Sequence, residues 1–304
     1  MAYVLAAAVF WGSSFVVIKV GYEWGPAPTT SAFLRFMVAG LASTLLLFAQ
    51  RRLRWGVFRH PTVIVLSLLN AGGFLLQYWG LNETNSAAAS ILANVGVILV
   101  AILAVAWLGE KMTARLAAAV FLAFLGSVLL VTRGNLSSLA APEVRGPLMV
   151  AVASFFWSLF VVINKDALSK NIATGEEISW AVLALSGIFL LPAAVLVDGA
   201  PTFSYSGEGW AVALYTGIFC SSLSYIIYMR GLSGLPATVA SVITVAEVLV
   251  AFVLTAVVFS YIVGGWEAMG GALVLVGIVL ASLASRKGAP EGPAAEVQSP
   301  SKGP

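Results

Sequence analysis

The sequence predicts an all-α polytopic membrane protein, in which ten transmembrane helices form two inverted five-helix repeats around a central cavity. Apolar residues make up 60% of the chain and charged residues 10%, against about 45–50% and about 25% in soluble domains. A helix that crosses a hydrocarbon core of about 30 Å needs roughly 20 apolar residues. Ten such helices fit within 304 residues when the connecting loops are short. An internal repeat divides the ten helices into two sets of five.

Apolar segments bounded by charged residues, glycines and prolines define the individual helices. We predict them at roughly 3–20, 29–49, 62–82, 86–108, 113–132, 147–165, 177–197, 209–230, 236–259 and 264–285. Four prolines lie in or near first turns, where the missing N–H has no helical partner to lose. They are Pro28, Pro61, Pro147 and Pro236. Pro192 lies inside the seventh helix and predicts a kink, and the Pro-, Gly- and Ala-rich segment 288–304 predicts a disordered tail.

Lysine and arginine positions predict the orientation in the membrane. With the N-terminus inside, twelve of the 16 lie in cytoplasmic segments, and three, Lys19, Arg133 and Arg145, lie outside. The remaining one, Arg35, lies inside the second helix. Because cytoplasmic loops of membrane proteins carry an excess of positive charge, we expect both termini in the cytoplasm. The expected location is the plasma membrane, which in a bacterium is the inner membrane.

Several function classes lack the residues that they need. The single cysteine, Cys220, cannot form an internal disulfide, and the single histidine, His60, cannot build a histidine-based zinc site. The basic residues are scattered, so they do not indicate nucleic-acid binding. The chain has no G-x-x-x-x-G-K-[ST], H-E-x-x-H or G-x-S-x-G motif. We therefore expect no metal, no cofactor and no enzymatic activity.

The first and sixth helices begin an internal repeat. The segment FWGSSFVVIK at 10–19 returns as FFWSLFVVINK at 155–165. Six residues of the first segment have an identical residue 145 positions later, and its tryptophan and its lysine each have one 146 positions later. Ten residues between 80 and 128 recur 151 positions later. Because five is an odd number of spans, the second half enters the membrane from the opposite side. The predicted repeats are 1–140 and 145–287, related by a pseudo-two-fold axis in the membrane plane.

These segments resemble the drug/metabolite transporter superfamily, and specifically its EamA-type ten-helix members, over about residues 3–286. The motif residues here are FWGSSF to Lys19, Arg35-Phe36, Gly80-Leu81 followed by the small residues 86–90, and Leu108-Gly109-Glu110. The chain is similar to the amino-acid exporters of the YddG type, which implies efflux of aromatic or other neutral amino acids and related metabolites. The second half has Ser260 and Tyr261 in place of the Gly-Glu turn, so any role of that turn is not duplicated.

Transport requires polar groups near the middle of the membrane, and few are available. Glu247 is the one carboxylate at mid-depth, in the ninth helix. It either responds to protons or binds an ammonium group in a wet cavity, or it is a protonated acid that ties the ninth helix to the eighth through hydroxyl groups. Asn94 and Ser90 of the fourth helix share one face. They either bind cargo or form an interhelical hydrogen bond.

Aromatic residues are the other candidates for the site. Trp11 and Trp157 occupy matching mid-span positions, as a stacking wall for an apolar cargo side chain or as core packing. Tyr78, with Gln77 beside it, lies near the outer end of the third helix, and Tyr228 lies near the inner end of the eighth. Each tyrosine is either a gate or part of an interfacial aromatic belt.

Arg35 lies about six residues inside the second helix. It either attracts a carboxylate of the cargo or, as the favoured interpretation, extends outward to the membrane surface or caps a neighbouring helix.

The resulting hypothesis is a secondary transporter of small molecules that works as a monomer in the lipid bilayer. Five helices rock against their inverted copy around a midplane cavity, which helices 1, 3, 4, 6, 8 and 9 line. The rival on the same fold is a multidrug or sugar-metabolite exporter. A membrane-embedded enzyme or an assembly subunit is disfavoured, because the sequence offers no reactive pair at interfacial depth.

Overall fold

The fold is all-helical throughout the part of the chain that the computed structural model describes, which is residues 1–21, 24, 26–83, 95–135, 145–199, 201, 203–258 and 263–287. The α-helices are α1 (Ala2–Gly21), α2 (Pro28–Ala49), α3 (Pro61–Glu83), α4 (Gly96–Leu108), α5 (Ala114–Thr132), α6 (Arg145–Ser169), α7 (Gly175–Val197), α8 (Gly207–Gly217), α9 (Ser224–Ser233), α10 (Ala237–Thr244), α11 (Ala246–Val258) and α12 (Gly265–Lys287). A 3₁₀ turn covers Trp55–Arg59, and a π-helical segment, Ile218–Leu223, joins α8 to α9.

These helices match the ten predicted spans closely. The π-helical segment makes α8 and α9 one continuous span, and only Val245 separates α10 from α11 in the ninth span. Within the described residues, seven helical segments are long and apolar enough to cross a membrane, and three shorter apolar helices accompany them. The predicted fourth helix is described only from Gly96 onward, so Ser90 and Asn94 lie outside the described residues.

Capping residues set several helix boundaries. Thr174 forms a capping box with Glu177: its hydroxyl accepts from the Glu177 N–H at 3.3 Å, while the Glu177 carboxylate accepts from the Thr174 N–H at 2.8 Å. The side chain of Thr113 caps α5 with a single hydrogen bond, which it accepts from the Leu116 N–H. Gly109 ends α4 with φ +66°, a left-handed conformation that glycine adopts without strain.

The two ends of the bundle are defined by the contact between α1 and the α8–α9 span. Val4 packs on Gly231 at one end, called here the first end, and Gly21 packs on Val212 at the other, the second end. The first end corresponds to the predicted cytoplasmic side. Helix α1 therefore runs from the first end to the second.

Helix α6, which carries the second copy of the repeated motif, runs the opposite way. It begins with Gly146 against Glu83, the last residue of α3. That part of α3 is at the second end, because Tyr78 shares a cavity there with the last residue of α1. The helix ends near the first end, where Lys165 donates to the Leu232 carbonyl oxygen at 3.0 Å.

Helices of the first half pack mainly on helices of the second. The extensive contacts are α5 with α12, α3 with α6, α2 with α7, and α1 with both α11 and α9. Exchanging the halves means replacing each span by its counterpart five spans away. The pairs α5–α12 and α2–α7 are then unchanged. The contact α3–α6 becomes α1–α9, and α1–α11 becomes α4–α6, which is also present. The packing pattern is thus nearly unchanged by the exchange.

Candidate functional site

An aromatic cluster lies between α1 and α9. The ring of Trp11 is 5.7 Å from the ring of Tyr225 and 5.1 Å from that of Tyr228, measured between centroids. Both tyrosines are buried, whereas Trp11 is partly exposed. Trp11 and Tyr228, which the sequence singled out separately, therefore meet. Aromatic pairs of this kind are favourable contacts.

The same contact recurs in the other half. Trp157 of α6 meets Phe74 of α3 edge-on at 5.3 Å. Phe74 and Tyr225 are 151 positions apart, the spacing of the sequence repeat. The two tryptophans therefore each pack on the partner half, at corresponding positions.

Tyr78 and Gln77 are buried inside the bundle, with 2% and 8% of their surface exposed. Tyr78 borders a cavity of about 20 Å³ at the second end, between α1, α2, α3 and α8. This volume holds about one water molecule. Because Tyr78 and Tyr228 are both shielded by protein, neither belongs to an aromatic belt facing the membrane surface.

Arg35 is also buried, with 2% of its surface exposed. Its Nε donates to the Ser221 hydroxyl at 2.7 Å and its Nη2 to the Cys220 carbonyl oxygen at 3.1 Å. Its guanidinium carbon lies 4.8 Å from the centroid of the Phe74 ring, a cation–π contact. The expectation that Arg35 extends to the membrane surface was therefore wrong, while the bond to a neighbouring helix is present.

The π-helical segment explains why Arg35 turns inward. A π-helical turn disrupts the regular ladder of backbone hydrogen bonds and frequently occurs at functional sites. Here the Cys220 carbonyl oxygen accepts from Arg35. Ser13 of α1 packs on the same segment, with its hydroxyl 2.8 Å from the Tyr215 hydroxyl and 4.0 Å from the Cys220 sulfur.

A second polar cluster, which the sequence analysis missed, joins α3, α7 and α9. The Tyr225 hydroxyl donates to Asn70 Oδ1 at 2.6 Å, and Asn70 Nδ2 donates to the Ser186 hydroxyl at 3.0 Å. An asparagine in the middle of an apolar span was the available signal.

Glu247 lies beside the aromatic cluster. Helix α1 approaches it closely, since a Cβ added at Gly12 would lie 3.1 Å from the Glu247 carbonyl carbon. The Glu247 carboxylate interacts electrostatically with the hydroxyls of Tyr225 and Tyr228. The residue is partly exposed, and no hydroxyl among the described residues donates to its carboxylate. The described contacts therefore give no support to the alternative in which Glu247 ties two helices together.

Two charged residues of the sequence motifs, Lys165 and Glu110, cap helices at the first end. Lys165 donates to the carbonyl oxygens of Leu232 and Ser233 at the end of α9, at 3.0 and 3.1 Å. The Glu110 carboxylate accepts from the Thr238 N–H at 3.1 Å and from the Thr238 hydroxyl at 2.8 Å, at the start of α10. The Gly-Glu turn thus stabilises the connection between the eighth and ninth spans.

Polar contacts connect the two halves at both ends. At the first end, Glu176 of α7 pairs with Arg52, at 2.6 Å, and with Arg230. At the second end, the Asp198 carboxylate accepts from the N–H and the hydroxyl of Thr30 at 2.7 and 2.9 Å.

Comparison with known proteins identifies the family. The chain matches the EamA-like transporter family over residues 1–132 and 144–283. It belongs to that family. EamA-like proteins have a ten-helix fold, which the apolar helices described above fit. The chain is accordingly a multi-pass membrane transporter. The names of its family and relatives are those of transporters and not of enzymes.

Several relatives of this EamA-like protein cover nearly its whole length. An uncharacterized transporter of Archaeoglobus fulgidus is 28% identical over 90% of this chain and 93% of its own. The uncharacterized inner membrane transporter YicL of Salmonella typhimurium is 26% identical, covering 94% and 96%. A probable terminal-alkyne amino-acid exporter of Streptantibioticus cattleyicolor is 24% identical, covering 90% and 89%. A protein of known crystal structure, 18% identical, superposes with a TM-score of 0.81 over 94% of this chain and 97% of its own, which shows the shared fold.

Proposed function

We propose that this EamA-like transporter exports neutral amino acids, aromatic ones above all, and related metabolites across the plasma membrane by alternating access. The observation that carries the proposal is the Trp11, Tyr225 and Tyr228 cluster with the Glu247 carboxylate beside it. The aromatic rings suit an apolar or aromatic side chain, since stacked rings contribute beyond their buried area.

Glu247 supplies the polar half of this site. A charged carboxylate inside a membrane protein costs free energy unless it is solvated, paired or protonated, and such residues are usually functional. In the proposed function the Glu247 carboxylate binds the ammonium group of the cargo and takes up a proton when the cargo is absent. The lack of a described hydroxyl donor to Glu247 supports this assignment.

The amino-acid class of the cargo has support from one relative. The Streptantibioticus cattleyicolor protein is named as an exporter of an amino acid that carries a terminal alkyne, a compact apolar group. An amino acid with an apolar side chain is the chemistry that the aromatic cluster and Glu247 fit.

The proposed mechanism uses two repeats, 1–140 and 145–287, that rock against each other in a functional monomer. The opposite directions of α1 and α6 and the exchange symmetry of the packing support this division. Tyr78 is the proposed gate at the second end and Tyr228 the gate at the first, with Gln77 beside Tyr78. Both termini are proposed to lie in the cytoplasm, following the charge distribution. Trp157, Ser90 and Asn94 remain proposed cargo contacts in the other walls of the cavity.

Counterflow in proteoliposomes that contain only this protein tests the proposal. Vesicles preloaded with unlabelled tryptophan are expected to accumulate labelled tryptophan and phenylalanine, whereas protein-free vesicles are not. Competition by a panel of tryptophan analogues, cationic drugs and sugar nucleotides then defines the class. If no neutral amino acid moves, the proposed cargo is wrong. If only drugs or sugar metabolites move, the rival assignment on the same fold is correct.

A further inference from the structure

Arg35 is a buried cation without an acidic partner in the described part of the chain. The ion pairs that the structure describes involve arginines and lysines near the helix ends, and none of them includes Arg35. The groups that bond to Arg35 are neutral: a hydroxyl, a backbone carbonyl and an aromatic ring. Burying a charge is costly unless an opposite charge compensates it. A mobile anion is the partner that this arrangement lacks.

The guanidinium group also has donors to spare. An arginine carries five N–H groups in a planar fork that matches a carboxylate. Its Nε and Nη2 donate to Ser221 and Cys220, and the Tyr78 hydroxyl is a third neutral partner of the group. Ser221 and Cys220 hold one edge of the group and fix its orientation. Three partners do not use all five donors, and the remaining ones are available to a ligand.

The opposite half indicates that helix packing does not require this charge. Helices α2 and α7 correspond at a spacing of 147 residues, since Gly40 packs on Ala184 and Gly187 packs on Met37. At this spacing Val182 of α7 occupies the position that corresponds to Arg35. The positive charge is an addition in one half, which points to a role other than holding the helices together.

The surroundings place Arg35 beside the cargo region. The Tyr78 hydroxyl interacts with the guanidinium group, and Tyr78 borders the cavity at the second end together with Leu34, the neighbour of Arg35. Arg35 lies over the Phe74 ring, which contacts Trp157, while Glu247 packs on Gly12, the neighbour of Trp11. A cation and a carboxylate therefore each adjoin the aromatic residues, an arrangement that matches the two opposite charges of an amino acid.

We infer that Arg35 binds the carboxylate of the cargo, so that the transporter requires a carboxylate group and discriminates against amines that lack one. This inference rests on the proposed function and adds to it the group that the site recognises. Glu247 and Arg35 then bind opposite poles of the cargo, with the side chain against Trp11. Charge-assisted hydrogen bonds of this kind are about twice as strong as neutral ones.

Tryptophan and two of its analogues separate the contributions of the cargo carboxylate and the cargo ammonium group. Inhibition of tryptophan counterflow is measured for tryptophan, for tryptamine, which lacks the carboxylate, and for indole-3-propionate, which lacks the ammonium group. We expect tryptamine to bind about 10-fold more weakly than tryptophan or worse, because one charge-assisted contact is lost. Equal binding of tryptophan and tryptamine would overturn the inference while leaving the transport of amino acids intact.

Variants of Arg35 assign the effect to this residue. In Arg35→Gln the preference for tryptophan over tryptamine is expected to disappear, and Arg35→Lys is expected to restore it in part. Ser221→Ala keeps the charge but removes a group that orients it, so it is expected to raise the KM for tryptophan and leave inhibition by tryptamine unchanged. The control is Ser186→Ala, which removes a buried hydroxyl that accepts from Asn70 and does not contact Arg35, and it is expected to retain the preference. A retained preference in Arg35→Gln contradicts the inference.

Thermal stabilisation distinguishes failure of this inference from failure of the proposed function. The purified wild-type protein is heated with saturating indole-3-propionate or tryptamine. If no amino acid is transported but indole-3-propionate alone stabilises the wild type and not Arg35→Gln, the carboxylate site stands and the proposed cargo is wrong. If neither compound stabilises the protein and no amino acid moves, both are wrong.

Discussion

Glu247 gives a pH-dependent prediction at the scale of single residues. In the proposed function the Glu247 carboxylate takes up a proton and then no longer binds the cargo ammonium, so we expect the KM for tryptophan to rise as the pH is lowered from about 8 to about 5. The other titratable groups that face it are the phenols of Tyr225 and Tyr228, with the cation Arg35 beyond them. Phenol and guanidinium groups in model peptides keep their charge state throughout this range.

In Glu247→Gln the KM is expected to be raised throughout this range and to be independent of pH. Counterflow of labelled tryptophan at several pH values measures this directly. Glu208→Gln serves as the control, because Glu208 is an exposed carboxylate on the first turn of α8. Normal transport by Glu247→Gln at every pH would show that the carboxylate has no proton-linked role.

The sequence predicted some site residues better than others, for physical reasons. Trp11 was singled out because a tryptophan in mid-span is uncommon, and Tyr228 because it lies near the inner end of its span, as Tyr78 lies near the outer end of another. For Arg35, extension to the membrane surface was wrong, because its inward bond goes to the Cys220 carbonyl in a π-helical turn. The residues IFCSSL at 218–223 contain no proline or glycine to mark that turn. The role of Tyr225 depends on contacts with residues far away in the sequence, Trp11 and Asn70, which hydropathy does not reveal.

At the scale of helices, the Gly-Glu turn is predicted to stabilise the break between the eighth and ninth spans. Glu110→Ala removes the acceptor for the first N–H groups of α10, and loss of a helix cap costs about 1 kcal/mol. Glu110→Gln keeps one acceptor oxygen and is expected to cost less. Thermal unfolding in detergent measures both. Lys111→Ala, an exposed neighbour, is the control, and an effect of this control equal to that of Glu110→Ala would argue against the capping role.

Helix positions followed from composition more reliably than helix interruptions did. Apolar segments between charges and prolines gave the spans within a few residues, because the membrane thickness fixes their length. The break at Val245 and the π-helical segment lie inside continuous apolar runs, where hydropathy carries no signal. Both features adjoin the candidate site, since one precedes Glu247 and the other binds Arg35.

At the scale of the whole molecule, the repeat was readable from sequence because matching residues recur at fixed spacings. The difference between the halves was not, because it depends on which residues correspond in space. Arg35 of α2 and Val182 of α7 correspond in the α2–α7 packing and differ in charge. The proposed transporter therefore has near-symmetric helices for its movement and an asymmetric pair of charges for its cargo.

Distances between spin labels at both ends test the central claim, that two opposed halves rock around a shared site. Cys220 is the sole cysteine in the sequence and is buried, so introduced cysteines can be labelled selectively. One pair, Gly56→Cys with Ser233→Cys, spans the halves at the first end, and another, Ala27→Cys with Gly207→Cys, spans them at the second. On addition of saturating tryptophan, the account predicts that one distance increases while the other decreases. Two distances that stay unchanged, or that change in the same direction, would contradict it.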